Sequence, residues 1–158
     1  MLSHLPFTER IYHGLHLSFL VLGRHDIKTM QPDVPYAVIS VTDPEREAAM
    51  LAESPNRRAV LRLSFHDKSG PRAAALGKIA LTVADAQAIL DFVEANRHEV
   101  NLIVCQCEAG ISRSAAIAAA LSRIVQDEDQ FFFEHYAPND WIYQTLLEAA
   151  EESDYAPK

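Results

Sequence analysis

Two short segments constrain the fold of this chain more than anything else in it. Tyr36-Ala37-Val38-Ile39-Ser40-Val41 and Leu102-Ile103-Val104-Cys105 are apolar almost without interruption. A strand with one wet face alternates apolar and polar residues, so a run that does not alternate belongs to a strand covered on both faces, as in parallel sheets held between layers. Leu15–Leu22 and Ala59–Phe65 supply two further strand candidates, and longer amphipathic stretches separate the four. Strands alternating with helices imply a parallel arrangement. With 158 residues the chain fits one core. The expectation is a single α/β domain over residues 1–158, with a mostly parallel central sheet of about four to five strands flanked by helices.

The helix signals are local. Thr82 starts a helix in which Val83, Ala86, Leu90 and Val93 recur at helical spacing and Ile89 widens the stripe, with Asp85 where the acid of a capping box belongs and Arg97-His98-Glu99 at the exit. Ser114-Ala115-Ala116-Ile117-Ala118-Ala119-Ala120-Leu121 has high helix propensity and little polar surface, which predicts a central, buried helix. Two more are expected around Glu128–Glu134 and Asp140–Glu152, separated by Pro138. Asp43-Pro44, with Glu45 and Glu47 close behind and Thr42 or Asp43 as cap, predicts a helix start after the second strand. The tail from about residue 153 to 158 reads as solvated.

Composition narrows the partners. The formal net charge of −8 argues against duplex nucleic acid or an anionic membrane, both of which call for a positive surface. The apolar run at 15–22 is too short for a bilayer, which needs about 20 such residues, and Glu9, Arg10 and His13 before it do not form a signal-peptide leader. Cys105 and Cys107 are too close for a relaxed disulfide, so a reducing, cytoplasmic setting is expected. The seven histidines show no ligand spacing, so no metal is expected.

Chemistry concentrates in Val104-Cys105-Gln106-Cys107-Glu108-Ala109-Gly110-Ile111-Ser112-Arg113-Ser114. A cysteine leaves the carboxyl end of a buried strand, a glycine-containing loop follows, and an arginine and a serine open a helix. Such a turn aims backbone N–H groups at one point, where the helix dipole adds positive potential. Gly110 admits a positive φ and close backbone approach to an anion, and Arg113 offers a planar fork matched to two phosphoryl oxygens. The same field favours the thiolate of a cysteine, which is a nucleophile. Ser114 is placed to hydrogen-bond that sulfur.

These residues resemble the signature of the cysteine-based protein tyrosine phosphatases: Cys107, five intervening residues, then Arg113 and Ser114. The form Cys-x-Ala-Gly-x-Ser-Arg-Ser is closest to the dual-specificity branch. Pro138-Asn139-Asp140-Trp141-Ile142-Tyr143-Gln144 resembles the start of that branch's last helix, and the likeness spans roughly residues 36–150. Low-molecular-weight phosphatases and arsenate reductases carry the same cysteine–arginine spacing near their amino terminus.

The resemblance implies a phosphatase working through a phosphocysteine on Cys107. The phosphoryl oxygens would be bound by Arg113 and by the backbone of Glu108, Ala109, Gly110, Ile111, Ser112 and Arg113, with Ser114 assisting departure of the sulfur. No metal or organic cofactor is implied. The substrate would be a phosphorylated protein, phosphotyrosine first and phosphoserine or phosphothreonine if the pocket is shallow, or a small phosphomonoester. It also implies a general acid upstream of the cysteine. Asp67, directly after the third strand in Phe65-His66-Asp67-Lys68-Ser69-Gly70, is the first candidate, with His66 as a stand-in, while Asp43 and Asp85 are set aside as helix caps; Lys68-Ser69-Gly70-Pro71 gives the loop turn chemistry. Two departures stand out: Gln106 occupies the position usually held by histidine, and Glu108 lies inside the loop, where its carboxylate is expected to repel polyanionic headgroups.

Other readings compete. Cys107 as an inert buried thiol, Ser114 as a plain helix-start residue, Asp67 as a turn former and Asn139 as a structural cap are the bland alternatives. A phosphate-binding module without turnover is the rival function, and a rhodanese-like sulfurtransferase is a further one.

Overall fold

The computed structural model describes residues 2–153; the tail from Asp154 onward, expected to be solvated, lies outside the described residues. After a short 3-10 turn at Leu2–His4 come α1 (Phe7–Arg10), β1 (Tyr12–His13), β2 (Ser18–Leu22), α2 (Arg24–Ile27), β3 (Tyr36–Thr42) and β4 (Arg57–Ser64). They are followed by α3 (Gly70–Leu76), α4 (Val83–Asn96), β5 (Leu102–Gln106), α5 (Arg113–Gln126), α6 (Gln130–His135) and α7 (Asp140–Glu152). The strands form one five-stranded sheet in the order β1-β2-β5-β3-β4, parallel throughout except for the antiparallel β1–β2 pair. The architecture is the α/β one that the strand pattern predicts.

All seven residues of β3 and all five of β5 are buried, which is why neither alternates. On one face Phe19, Val21, Ile39, Val41, Ile103 and Cys105 pack with α4, α5, α6 and α7. The alanines of α5 carry no bulk, so this helix sits close to the sheet, and eleven of its residues are buried. On the other face Leu20, Leu22, Val38, Leu102 and Val104 pack with Ile27, Met30 and Ala49, with Phe7, Ile11 and Leu51 at the margin. The amino-terminal third of the chain therefore covers one face of the sheet as well as extending its edge.

Several expected boundaries move. β2 starts at Ser18 and Leu15 is exposed, because the backbone before β2 is bound elsewhere: the Gln126 carboxamide accepts from the His16 and Leu17 N–H groups and donates to the Leu17 carbonyl. No helix follows Asp43. The chain makes one turn, with the Arg46 N–H donating to the Asp43 carbonyl at 2.9 Å, then runs irregularly to β4 and buries Ala49 against the sheet. The helix-start signals there are overridden by tertiary contacts of Asp43 and Arg46, described below.

Conversely, α3 forms where the pattern Lys68-Ser69-Gly70-Pro71 reads as a turn. The Ser69 side chain accepts from the Arg72 N–H, Pro71 sits in the first turn, and Gly77 ends the helix at φ 66°. At α4 the capping box of Thr82 and Asp85 is present in both directions.

Register decides where a site can be. Leu22 and Ser40 both pair with Gln106, and Thr42 pairs with Ser64. The chain thus leaves β2, β3, β4 and β5 along one edge, which gathers Gly23, Asp43, Phe65 and Cys107. The carboxyl edge of a parallel sheet, where loops diverge and helix amino termini point inward, is the usual place for a ligand.

Candidate active site

Cys107 is the first residue beyond β5. Its N–H donates to the Leu22 carbonyl at 3.2 Å, so the peptide is anchored to β2 before the loop begins. The loop then curls back over the sulfur: the Gly110 N–H points to Cys107 Sγ at 3.3 Å, and Ser114 Oγ lies 3.1 Å from it. Gly110 takes φ 71°, and its α-carbon is pressed against β2. A Cβ at that position would stand 2.4 Å from the Gly23 nitrogen and 2.6 Å from the Leu22 carbonyl carbon. Only glycine satisfies both the dihedral and the contact.

Arg113, the first residue of α5, is buried. Nη1 donates to Asp43 Oδ1 at 2.6 Å and to the Phe65 carbonyl at 2.7 Å. Both contacts use one nitrogen. Among the described residues no hydrogen bond occupies the Nε–Nη2 edge, which is the two-pronged side of the guanidinium that matches an oxyanion. Asp43 is therefore not a helix cap. It is the carboxylate that fixes the azimuth of Arg113, with its own side chain 27% exposed against 7% for the arginine.

Asp67 stands across the loop. Its Oδ1 accepts from Ser112 Oγ at 2.9 Å and from Asn139 Nδ2 at 2.7 Å. The chain thus brings the candidate acid to the loop despite the forty residues between it and Cys107. His66, the stand-in, is tied elsewhere: Nδ1 accepts from the Ile79 N–H at 2.9 Å, and Nε2 is 2.8 Å from Glu45 Oε2. That hydrogen bond holds the Glu45 carboxyl below the usual range. Asp85 is held in its capping box with Thr82.

The two departures from the resemblance acquire physical accounts. Gln106 is fully buried; its Oε1 accepts from Ser40 Oγ, and its Nε2 donates to the Cys107 carbonyl at 2.8 Å. A neutral amide thereby steadies the first peptide of the loop without adding charge. Glu108 is not a bare charge facing a substrate. Arg24 grips it with Nε at 2.7 Å and Nη2 at 3.2 Å, Arg46 Nη1 adds a contact at 2.9 Å, and the Asp43 N–H donates at 3.3 Å. The hydrogen bond from Arg24 leads in holding the Glu108 carboxyl below the usual range, with smaller help from the Asp43 N–H and the Arg46 charge, and burial opposes it. With two guanidiniums on one carboxylate, the expected repulsion of polyanionic headgroups by Glu108 loses its basis.

Cys105 lies on the same face of β5 as Cys107. Burial pushes its thiol far above the ordinary range, so it remains a protonated, unreactive neighbour. Among the described residues no cluster of three or more His, Cys, Asp or Glu side chains is arranged for a metal, and no helix is long and apolar enough to cross a membrane.

Three contributors escape the sequence pattern: Asp43, the pair Arg24 and Arg46, and the side chain of Asn139. For Asp43 a signal was present, since a carboxylate one residue beyond a parallel strand belongs to the same edge as the cysteine. The arginines give none, because the segments carrying them are short and irregular.

No protein-family model matches the chain, and no curated protein sequence does. Solved structures do. A mouse protein described as a candidate dual specificity phosphatase, complexed with zinc tungstate, aligns over 98% of this chain and 95% of its own, with a TM-score of 0.59 and 15% identity. DUSP15 aligns over 92% and 90%, at 0.53 and 18%. The human tyrosine phosphatase-like serine/threonine/tyrosine-interacting protein aligns over 77% and 78%, at 0.52 and 17%. The chain has the fold of the dual-specificity and tyrosine phosphatase-like proteins.

Proposed function

We propose that the protein hydrolyses phosphate monoesters through a phosphocysteine on Cys107, with protein phosphotyrosine as the first substrate and phosphoserine and phosphothreonine as further ones. One observation carries the reading: a sulfur faced by the Gly110 N–H and the Ser114 hydroxyl lies in the same loop as a guanidinium pinned by one nitrogen only. That arrangement suits an anion with a tetrahedral centre above the sulfur.

The chemistry follows in two steps. The Cys107 thiolate attacks phosphorus, the S–P bond forms, and the bond to the alcohol or phenol oxygen breaks as Asp67 delivers a proton to it. Water then attacks the phosphocysteine and gives a proton back to Asp67. The S–P bond breaks, Ser114 Oγ hydrogen-bonds the departing thiolate, and inorganic phosphate leaves. Arg113 and the backbone from Glu108 to Arg113 hold the equatorial oxygens in both steps. Every group in the sequence belongs to the chain, so no metal or organic cofactor is called for. Two free thiols suit a reducing, cytoplasmic compartment.

The rival is a binding module that holds phosphorylated partners without turnover. Its grounds are Gln106, which cannot carry a charge, and a general acid not fixed by the sequence; the hydrogen bonds of Gln106 to Ser40 and to the Cys107 carbonyl give that residue a loop-ordering part and weaken the first ground only. The experiment compares reduced wild type with Cys107→Ser on an aryl phosphate and on a phosphotyrosine peptide. Turnover in wild type and none in Cys107→Ser is expected. Phosphopeptide binding with no turnover in wild type would establish the rival, and turnover surviving in Cys107→Ser would remove Cys107 as the nucleophile.

A further inference from the structure

Asn139 stands where three parts of the molecule meet. Its N–H donates to the Ser112 carbonyl at 3.1 Å, which ties it to the cysteine–arginine loop. Its Oδ1 accepts from the Ile142 N–H at 3.0 Å, which caps α7. Its Nδ2 donates to Asp67 Oδ1 at 2.7 Å. One side chain thus performs the capping duty expected of it and a second one that a cap does not need.

The hydrogen bonds on Asp67 are one-sided. Ser112 Oγ and Asn139 Nδ2 both donate to Oδ1, and among the described residues no hydrogen bond reaches Oδ2. A carboxyl oxygen that already accepts two N–H or O–H donors is a poor site for a proton. Oδ2 is thus the oxygen whose lone pairs are left free for a proton in transit. The first turn of α7 also grips the segment that carries Asp67 at two other points. Trp141 Nε1 donates to the Leu81 carbonyl at 3.1 Å, and the Trp141 ring lies against Gly70, where a Cβ would stand 2.6 Å from Cζ2.

We propose that Asn139 is a positioning residue for the proton donor. With Ser112 it occupies Oδ1 of Asp67, turns Oδ2 toward the leaving oxygen, and couples the start of α7 to the proton-transfer step. The inference rests on Asp67 being the proton donor of the proposed reaction. It extends the bland reading of Asn139 as a helix cap, and the two roles can be separated by size. Serine caps helices as well as asparagine does, but it is one heavy atom shorter and carries no amide to span the distance to Asp67.

The experiment measures kcat/KM of the full chain for phenyl phosphate, whose leaving group needs a proton, and for p-nitrophenyl phosphate, whose leaving group hardly does. Wild type, Asn139→Ser, Asn139→Ala and Asp67→Asn are compared, with the Tm of each. Asn139→Ser is expected to keep the wild-type Tm while losing about tenfold to a hundredfold on phenyl phosphate and no more than about twofold on p-nitrophenyl phosphate. Asn139→Ala should show the same kinetic pattern with a lowered Tm. Asp67→Asn should show a still larger selective loss. If Asn139→Ser behaves as wild type on phenyl phosphate while Asp67→Asn is impaired, Asn139 is only a cap and the proposal is overturned with the proton donor intact. If Asp67→Asn shows no selective loss, Asp67 is not the donor and both readings fall.

Discussion

Replacing Asp43 isolates what aims Arg113. In Asp43→Ala the 2.6 Å bond from Nη1 disappears, and only the Phe65 carbonyl, at 2.7 Å, still holds that nitrogen. A hydrogen bond to a charged group contributes roughly 1.5–3 kcal/mol, whereas breaking a fully buried ion pair costs about 3–5 kcal/mol. Because the Asp43 side chain is 27% exposed, water screens the pair and the lower range applies. At roughly 2–4 °C per kcal/mol for a domain of this size, Tm should fall by about 3–12 °C.

The kinetic effect separates ground state from transition state. Loss of a carboxylate makes the site more positive for any bound phosphoryl oxyanion, which offsets the loosened fork for a resting anion. The transition state needs the fork fixed, so kcat/KM should drop by about tenfold to a hundredfold while the tungstate Kd moves by less than about threefold. Asp43→Asn keeps an acceptor for Nη1 and should fall between wild type and alanine in both assays. Thermal denaturation, aryl phosphate kinetics and tungstate titration read these quantities directly. An alanine variant equal to wild type in Tm and kcat/KM would show that the Phe65 carbonyl alone aims Arg113, and the role given to Asp43 would be wrong.

Two further outcomes follow from the loop itself. Gly110→Ala forces a non-glycine residue to φ 71° and sets its Cβ against β2 backbone; stability should fall by about 2–5 kcal/mol in denaturant titration and tungstate binding should be lost, whereas wild-type stability would mean the loop does not sit against β2. Glu108→Gln removes the charge gripped by Arg24 and Arg46. The folded-state carboxyl is held below its ordinary value, so its stabilisation is complete above the unfolded value of about 4.3 and is lost as pH falls through the folded one. The gap in denaturation midpoint between wild type and Glu108→Gln should therefore be full at neutral pH and close in acid; a gap independent of pH would refute the pairing.

What the sequence makes legible here is what its local chemistry decides. The uninterrupted apolar runs at 36–41 and 102–105 announce strands buried on both faces, and the alanine-rich segment after Ser114 announces a helix set deep against them. Thr82 and Asp85 cap α4 with side chains three residues apart, a contact that needs no tertiary structure. The misread segments are those in which distant partners win. Asp43, Glu45 and Glu47 compose a credible helix start, yet Arg113 claims Asp43, His66 claims the Glu45 carboxylate, and Arg24 claims the Glu47 carbonyl. Glu108 reads as a repulsive charge until two arginines from residues 24 and 46 are seen on it. For α3 the local signals were all present in Ser69, Pro71, the alanines and Gly77, and the reading as a turn gave Gly70 and Pro71 more weight than the cap before them.

The most direct test of the account is whether phosphorus passes through the sulfur of Cys107. Wild type mixed with an aryl phosphate and quenched in acid within a turnover should yield a Cys107 peptide heavier by one phosphoryl group, absent from Cys107→Ser and from the Cys105 position. Sustained turnover with no phosphoryl group found on Cys107 at any quench time, together with undiminished activity in Cys107→Ser, would contradict it.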